Sequence, residues 1–350
     1  MPPYFKKTDF VICDIPVPYG YKQSQTHVGV AYHNGYVYLT SSPYPSIKRP
    51  LWLLYFMAGI RKLTFGHLFK PFIAEQWENP CIYIGDEKRE SLPIHFKLLQ
   101  DTPLMSLPVS ENGLPAYNSD PDLFIEKNTI HVLNRSVYRE IQSDRIHPYK
   151  YITRIFHIYG LIDNNQFLHQ GTQLLFESQR NMISPCLIRY QGEYIMTELE
   201  TYSYNDGNSF DGLFIAHSPS IDDFKFDINW EPVLVESRGY LPWHMSLFEN
   251  ENHLYAIVAC IKKGEKQRCW QMFGEFSEDL KKLHIYQMPL TDYKSYRSSA
   301  LVLNGQFVLY NSVVSERIKG SKSVDGRDVL MTNSSFKNLI HSLKEAESKR

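Results

Sequence analysis

The sequence predicts an all-β fold, a single five-bladed β-propeller carrying a short C-terminal helix. Three observations lead there. A hairpin pattern recurs five times along the 350 residues. A second strand–turn–strand signal follows the hairpin in several units. The repeats are spaced so that blades of roughly 60 residues account for most of the chain, as four-stranded propeller blades do.

The hairpins, in order, are THVGVAYHNGYVYLTSS, SDPDLFIEKNTIHVLNR, ISPCLIRYQGEYIMTELE, WHMSLFENENHLYAIVAC and RSSALVLNGQFVLYNSV. Each is an apolar strand, a polar turn and a second apolar strand. The turns His33-Asn34-Gly35, Glu126-Lys127-Asn128, Gln191-Gly192, Asn250-Glu251-Asn252 and Asn304-Gly305 supply residues that tolerate positive φ. The second signal reads IYIGDEKRESLPIHF, LFIAHSPSIDDFKF and MFGEFSEDLKKLHIY, with a proline step after it in TPLM, EPVL and MPLT. Short strands with regular turns also suit a β-sandwich, but the repeated order favours the propeller. Residues 5–15 are expected to add a strand that closes the ring. In NSSFKNLIHSLKEAESKR, Phe336, Leu339, Ile340 and Leu343 fall at helical spacing behind an N-cap at Asn333 or Ser334. The expected organisation is one propeller over 1–330, interrupted by a basic apolar insertion at 46–77, and a helix over 331–350.

Composition excludes several classes of function. The net charge of −1 gives no field for nucleic acid. Cys13, Cys81, Cys186, Cys260 and Cys269 are odd in number and lack CxxC spacing, so they read as buried reduced thiols. No secretory signal is visible at the N-terminus, and a cytoplasmic location is expected. There is no P-loop, no GxGxxG and no helical histidine pair at ligand spacing, so neither a cofactor nor a metal is expected.

First strands of blades line the central channel of a propeller. In an antiparallel hairpin the start of strand one meets the end of strand two at the same rim. Equivalent starting positions are His27, Asp120, Ser184, His244 and Ser298. Strand ends contribute Arg135, Glu198 and Glu200, with Arg139 close behind, and Trp243 and Arg297 flank later starts. Asp122 alternates onto the same face as Asp120. A funnel of carboxylates, imidazoles, guanidiniums and aromatic rings suits a sugar. Each residue also has a structural reading. Asp120 before Pro121 could hold a turn, the histidines could be hydrogen-bonded supports, and the arginines could pair internal carboxylates.

The motifs THVGVAYHNGYVYLTSSPYP, ENPCIYIGDE, YNSDPDLF, ISPCLIRYQGEYIM, PWHMSLF and YRSSALVLNGQFVLY resemble the inner-strand motifs of glycoside hydrolase-like five-bladed propellers, the group of arabinanases and xylosidases. The likeness spans residues 25–315. It implies a glycosidase-like hydrolase of a polysaccharide or glycoconjugate. Asp120 would be the catalytic carboxylate, Glu198 or Glu200 its opposite number and Asp122 the modulator. His27, Arg135, Arg139, Trp243, His244 and Arg297 would bind the carbohydrate. His27 and Ser184 stand where the pattern expects acidic residues, which keeps two alternatives open. One is a non-catalytic glycan-binding or scaffold propeller. The other is a sugar-transferring or accessory protein of polysaccharide assembly.

The stretch KRPLWLLYFMAGIRKLTFGHLFKPF, residues 48–72, carries five basic residues and no acidic one. Its apolar run is too short to cross a bilayer. A peripheral membrane or protein contact and packing over a neighbouring blade are both consistent with it.

Overall fold

The computed structural model describes residues 2–45, 56, 60, 63, 78–85, 92–106, 108, 116–141, 149–201, 210–225, 228–265, 269–291, 295–314 and 327–349. The insertion at 46–77 lies outside the described residues except for Phe56, Ile60 and Leu63, as does the proposed contact over 48–72. The described chain is nearly all β.

The first sheet holds β2 (Tyr21–His33), β3 (Tyr36–Pro45), β4 (Cys81–Gly85) and β5 (Phe96–Leu98) in that order. The second holds β6 (Tyr117–Glu126), β7 (Thr129–Ile141), β8 (Tyr149–Asp163) and β9 (Gln166–Ser178). A sheet of eight follows. It runs β10 (Met182–Tyr190), β11 (Glu193–Thr201), β12 (Phe210–Ser218), β13 (Glu231–Glu236), then β17 (Lys282–Ile285), β16 (Cys269–Phe276), β15 (His253–Lys262) and β14 (Tyr240–Asn250). The join between β13 and β17 is parallel, with Leu234 opposite Lys282 and Glu236 opposite His284. In the last sheet β18 (Ser295–Leu303) pairs with β19 (Gln306–Val314), β19 with β20 (Arg327–Ser335), and β20 with β1 (Val11–Ile12).

The hairpins form where the turn chemistry places them. Asn34, Lys127, Gln191, Glu251 and Asn304 all have φ between 50° and 54°, the left-handed conformation that matches strand twist in two-residue turns. The leading strands β2, β6, β10, β14 and β18 touch one another in sequence, and β18 returns to β2.

Between adjacent sheets the packing is apolar. Val28, Leu39 and Tyr83 meet Val308 and Tyr310 across the first and last sheets. Leu199, Val258, Met272 and Leu283 fill the space between the two halves of the eight-stranded sheet. All five cysteines are buried and none is in a disulfide.

The N-terminal segment clasps the ring. Cys13 N–H donates to Val329 O (2.8 Å), Asp14 N–H to Ile94 O (2.7 Å), and Phe96 N–H to Asp14 O (3.0 Å). The same few residues are thus bonded to the last sheet on one side and the first on the other.

The helix, α1, spans Phe336–Ser348, five residues later than the expected 331. Residues up to Ser335 continue β20 instead, paired with β19 to Gln306↔Ser335. Ser335, not Asn333 or Ser334, is the N-cap and accepts from Asn338 N–H. Leu339 and Leu343 are fully buried against Phe248, Phe273 and Phe307, each contributing about 1.5–3 kcal/mol.

Candidate functional site

The register of every leading strand breaks near its start. The shifts lie between Thr26 and Gly29, Ser119 and Asp122, Ile183 and Cys186, Pro242 and His244, and Ser295 and Ser298. A bulge inserts extra backbone, twists the strand and re-aims its side chains. Three of the extra residues are non-glycine and left-handed: His27 (φ 53°), Asp120 (φ 53°) and Ser184 (φ 48°). Such backbone costs about 1–3 kcal/mol per residue and persists where the surroundings over-determine it. Gly29 lets β2 close up behind the bulge, since a Cβ there would lie 2.9 Å from Thr40 Cγ2 and 3.1 Å from Leu123 N.

The bulges bring His27, Asp120 and His244 together, and all three are essentially buried. Asp120 Oδ1 lies 2.5 Å from His27 Nδ1 and 3.1 Å from His244 Nδ1. Asp120 Oδ2 accepts from Arg135 Nη1 at 3.1 Å, and Arg135 Nη2 donates to Asn181 Oδ1 at 3.2 Å. Ser184 Oγ lies 2.8 Å from His244 Nδ1. The Tyr296 ring packs against both imidazoles, with centroids at 4.7 and 4.5 Å. Glu78, Tyr117, Ser119, Asn181, Trp243 and Tyr296 complete a cavity of about 100 Å³ above Asp120, Arg135 and His244.

Burial alone would raise the Asp120 carboxyl, but His27 and His244 outweigh it and hold the group well below the usual range. Burial pushes His244 down to about 4, so it is a neutral imidazole. Burial also opposes charge on His27, yet Glu78 and Asp120 carry it upward.

Hydrogen bonds from Arg135 and with Ser184 do not account for every buried atom of the three. His27 Nδ1 and Asp120 Oδ1 face each other as an ion pair 2.5 Å apart without hydrogen-bond geometry, and His244 Nε2 has no hydrogen-bond partner. Two imidazoles and a carboxylate, each with an unsatisfied buried atom and donors within 4.8 Å of one another, are a donor set for a divalent transition cation. No metal is expected from the sequence because these donors come from strands 93 and 124 residues apart.

Asp122, Arg297, Glu198 and Glu200 lie outside the lining of this cavity. Asp122 does not share the surroundings of Asp120, because the bulge between Ser119 and Asp122 breaks the alternation. Its Oδ1 is 2.5 Å from Arg297 Nη2 and its Oδ2 accepts from Leu187 N–H at 3.0 Å. Arg297 is fully buried and also donates to Met245 O (2.9 Å) and Pro121 O (2.5 Å). This pair is an internal strut, not a substrate contact. Burial raises the Asp122 carboxyl, partly offset by Arg297. Glu200 pairs with Arg180, and Glu198 is buried with both oxygens unpartnered and its pKa raised by burial and then by Glu200. Neither lines the cavity with Asp120. Trp243 does line it; Arg139 lies on β7, its side chain outside the described residues. Glu78, Ser119 and Asn181 are the site residues that the repeat pattern misses.

No family model matches the sequence, and no curated protein does. Solved structures do. An N-acetylgalactosamine deacetylase from F. plautii, in complex with blood group B trisaccharide, aligns over 98% of this chain and 95% of its own at 15% identity, with a TM-score of 0.62. A xylan β-1,4-xylosidase from Bacillus halodurans C-125 aligns over 90% of this chain and 53% of its own at 12% identity (TM-score 0.60). A family 117 glycoside hydrolase from Zobellia galactanivorans aligns over 93% and 90% at 11% identity (TM-score 0.54). The fold is therefore the β-propeller that these enzymes share. At these identities the likeness is one of architecture.

Proposed function

We propose that the chain is a carbohydrate-acting hydrolase on a five-bladed propeller, with its chemistry centred on His27, Asp120 and His244 holding a divalent cation. The five leading strands in a ring support the blade count, the eight-stranded sheet being two blades joined at their rims. The single observation that carries the catalytic reading is the convergence of three buried donor residues, each with one buried atom that makes no hydrogen bond. A cation bound there would supply Lewis acidity and lower the pKa of a water. Arg135 and the two imidazoles keep Asp120 ionised, Ser184 orients His244, and Trp243 and Tyr296 offer aromatic faces to a sugar.

Removal of an acyl substituent from a sugar fits this centre best. A two-carboxylate glycosidase needs one protonated and one ionised carboxyl flanking the bond. Here Asp120 is enclosed by cationic and imidazole groups, while Glu198 and Glu200 do not line the cavity. The activity of the deacetylase neighbour agrees. Glycosidic cleavage is the second reading, supported by the xylosidase and family 117 neighbours. A glycan panel incubated with zinc-, cobalt- or manganese-loaded protein, scored for both acetate and new reducing ends, separates the two. Acetate release that Asp120→Asn abolishes in protein still folded at the assay temperature is the expected result. Full activity in Asp120→Asn would overturn the assignment of the centre.

A further inference from the structure

Glu78 enters the site from outside the repeat pattern, immediately before β4. Its Oε2 lies 2.9 Å from His27 Nε2 and accepts from Ser119 Oγ at 3.1 Å. The backbone that carries it is anchored by Asn79, itself nearly fully buried. Asn79 donates to Met105 O (2.7 Å) and accepts from Asn118 Nδ2 (2.8 Å), and Asn118 Oδ1 accepts in turn from Ser136 Oγ (2.6 Å). The carboxylate is therefore presented to the imidazole by a fixed polar scaffold.

A carboxylate has no proton to give, so the hydrogen in the Glu78–His27 contact belongs to His27 Nε2. A neutral imidazole that carries its hydrogen on Nε2 has a bare lone pair on Nδ1. Glu78 and Asp120 favour the protonated form of His27, so the 2.5 Å approach of Nδ1 to Asp120 Oδ1 is an ion pair. A cation that displaces the Nδ1 proton would take the freed lone pair as its ligand. We propose that Glu78 is a positioning residue: it locks His27 into the tautomer that ligates through Nδ1, and so builds a centre selective for a borderline transition cation such as zinc. This inference rests on the metal-centred reading above. The physical basis is general, because a ligating imidazole whose other nitrogen donates to a carboxylate is fixed in orientation and made more basic. Two nitrogens and one oxygen also favour zinc or cobalt over magnesium or calcium, which take oxygen ligands.

The test is zinc affinity, measured on the full chain by competition with a chromophoric chelator, together with thermal unfolding of the metal-free protein. Wild type is expected to bind one zinc, and magnesium or calcium in excess should not displace it. Glu78→Gln keeps the shape but gives up the charge, and is expected to weaken zinc binding about 10–100-fold while the metal-free melting temperature holds. Glu78→Asp, which retains the charge, should recover part of the loss. Wild-type zinc binding that Glu78→Gln leaves unchanged would overturn the role of Glu78 and leave the metal centre standing. A wild-type chain that takes up no zinc would overturn the centre itself.

Discussion

Arg297 offers the sharpest quantitative test of how the ring is held. From β18 its guanidinium reaches three other leading strands: Met245 O on β14, Pro121 O and Asp122 Oδ1 on β6, and Cys186 Sγ on β10 at 3.5 Å. Replacing it by Met keeps the volume but leaves the Asp122 carboxylate buried and uncompensated. Removing one partner of a buried pair costs about 3–5 kcal/mol. Asp122→Asn strands the guanidinium instead, at similar cost, while its amide oxygen can still accept from Leu187 N–H. In the double variant neither charge remains, so the two losses should not add. The expected coupling is about 2–3 kcal/mol, within the range found for contacting residues. Urea unfolding of wild type, both singles and the double gives the cycle directly. Additivity within about 0.5 kcal/mol, or a single substitution costing less than about 1 kcal/mol, would refute the strut.

Two further predictions are independent of the site. His131 Nδ1 and His157 Nε2 lie 2.9 Å apart with stacked rings. Burial lowers His131 to about 4; burial and then its neighbour lower His157 to about 3. Both folded values lie below the ordinary 6.5, so the unfolded chain binds protons first as pH falls. The stabilisation is complete above about 6.5 and is lost downward to about 4, at roughly 1.4 kcal/mol per pH unit per histidine. His157→Gln should flatten the urea midpoint between pH 6.5 and 4.5, and an unchanged slope would count against the pair. For the insertion, sequence predicts that exchanging Lys48, Arg49, Arg61, Lys62 and Lys70 for Gln weakens sedimentation with anionic liposomes, by about 1 kcal/mol per basic residue. Binding indifferent to salt and to these changes would exclude the electrostatic contact.

The fold was legible because hairpin turns announce themselves. Asn-Gly at 34–35 and 304–305 and Gln-Gly at 191–192 carry their conformation in their residue types, and the strand starts follow by counting. Counting also brought out His27, Asp120 and His244. It failed one step later, because alternation assumes an unbroken strand. The bulges break it, so Asp122 and Arg297 meet each other and not the cavity. Strand pairing fixes height along a blade but not which side a carboxylate faces, which is why Glu198 and Glu200 were expected at the mouth. Glu78 opens the motif ENPCIYIGDE, but it sits between the insertion and β4, where no hairpin repeat marks it as a site residue.

The parallel rungs between β13 and β17 have a mechanical meaning. In a ring of separate wedges, thermal breathing can be shared among all the joints. Here one joint is soldered at its rim as well as packed along its faces, and it will give last. The compliance of the ring must then gather at the remaining joints. One of these is the clasp where residues 13 and 14 are bonded to the last sheet and the first. Amide exchange should register that inequality as slow rungs at Leu234–Glu236 and faster ones at Cys13 and Asp14.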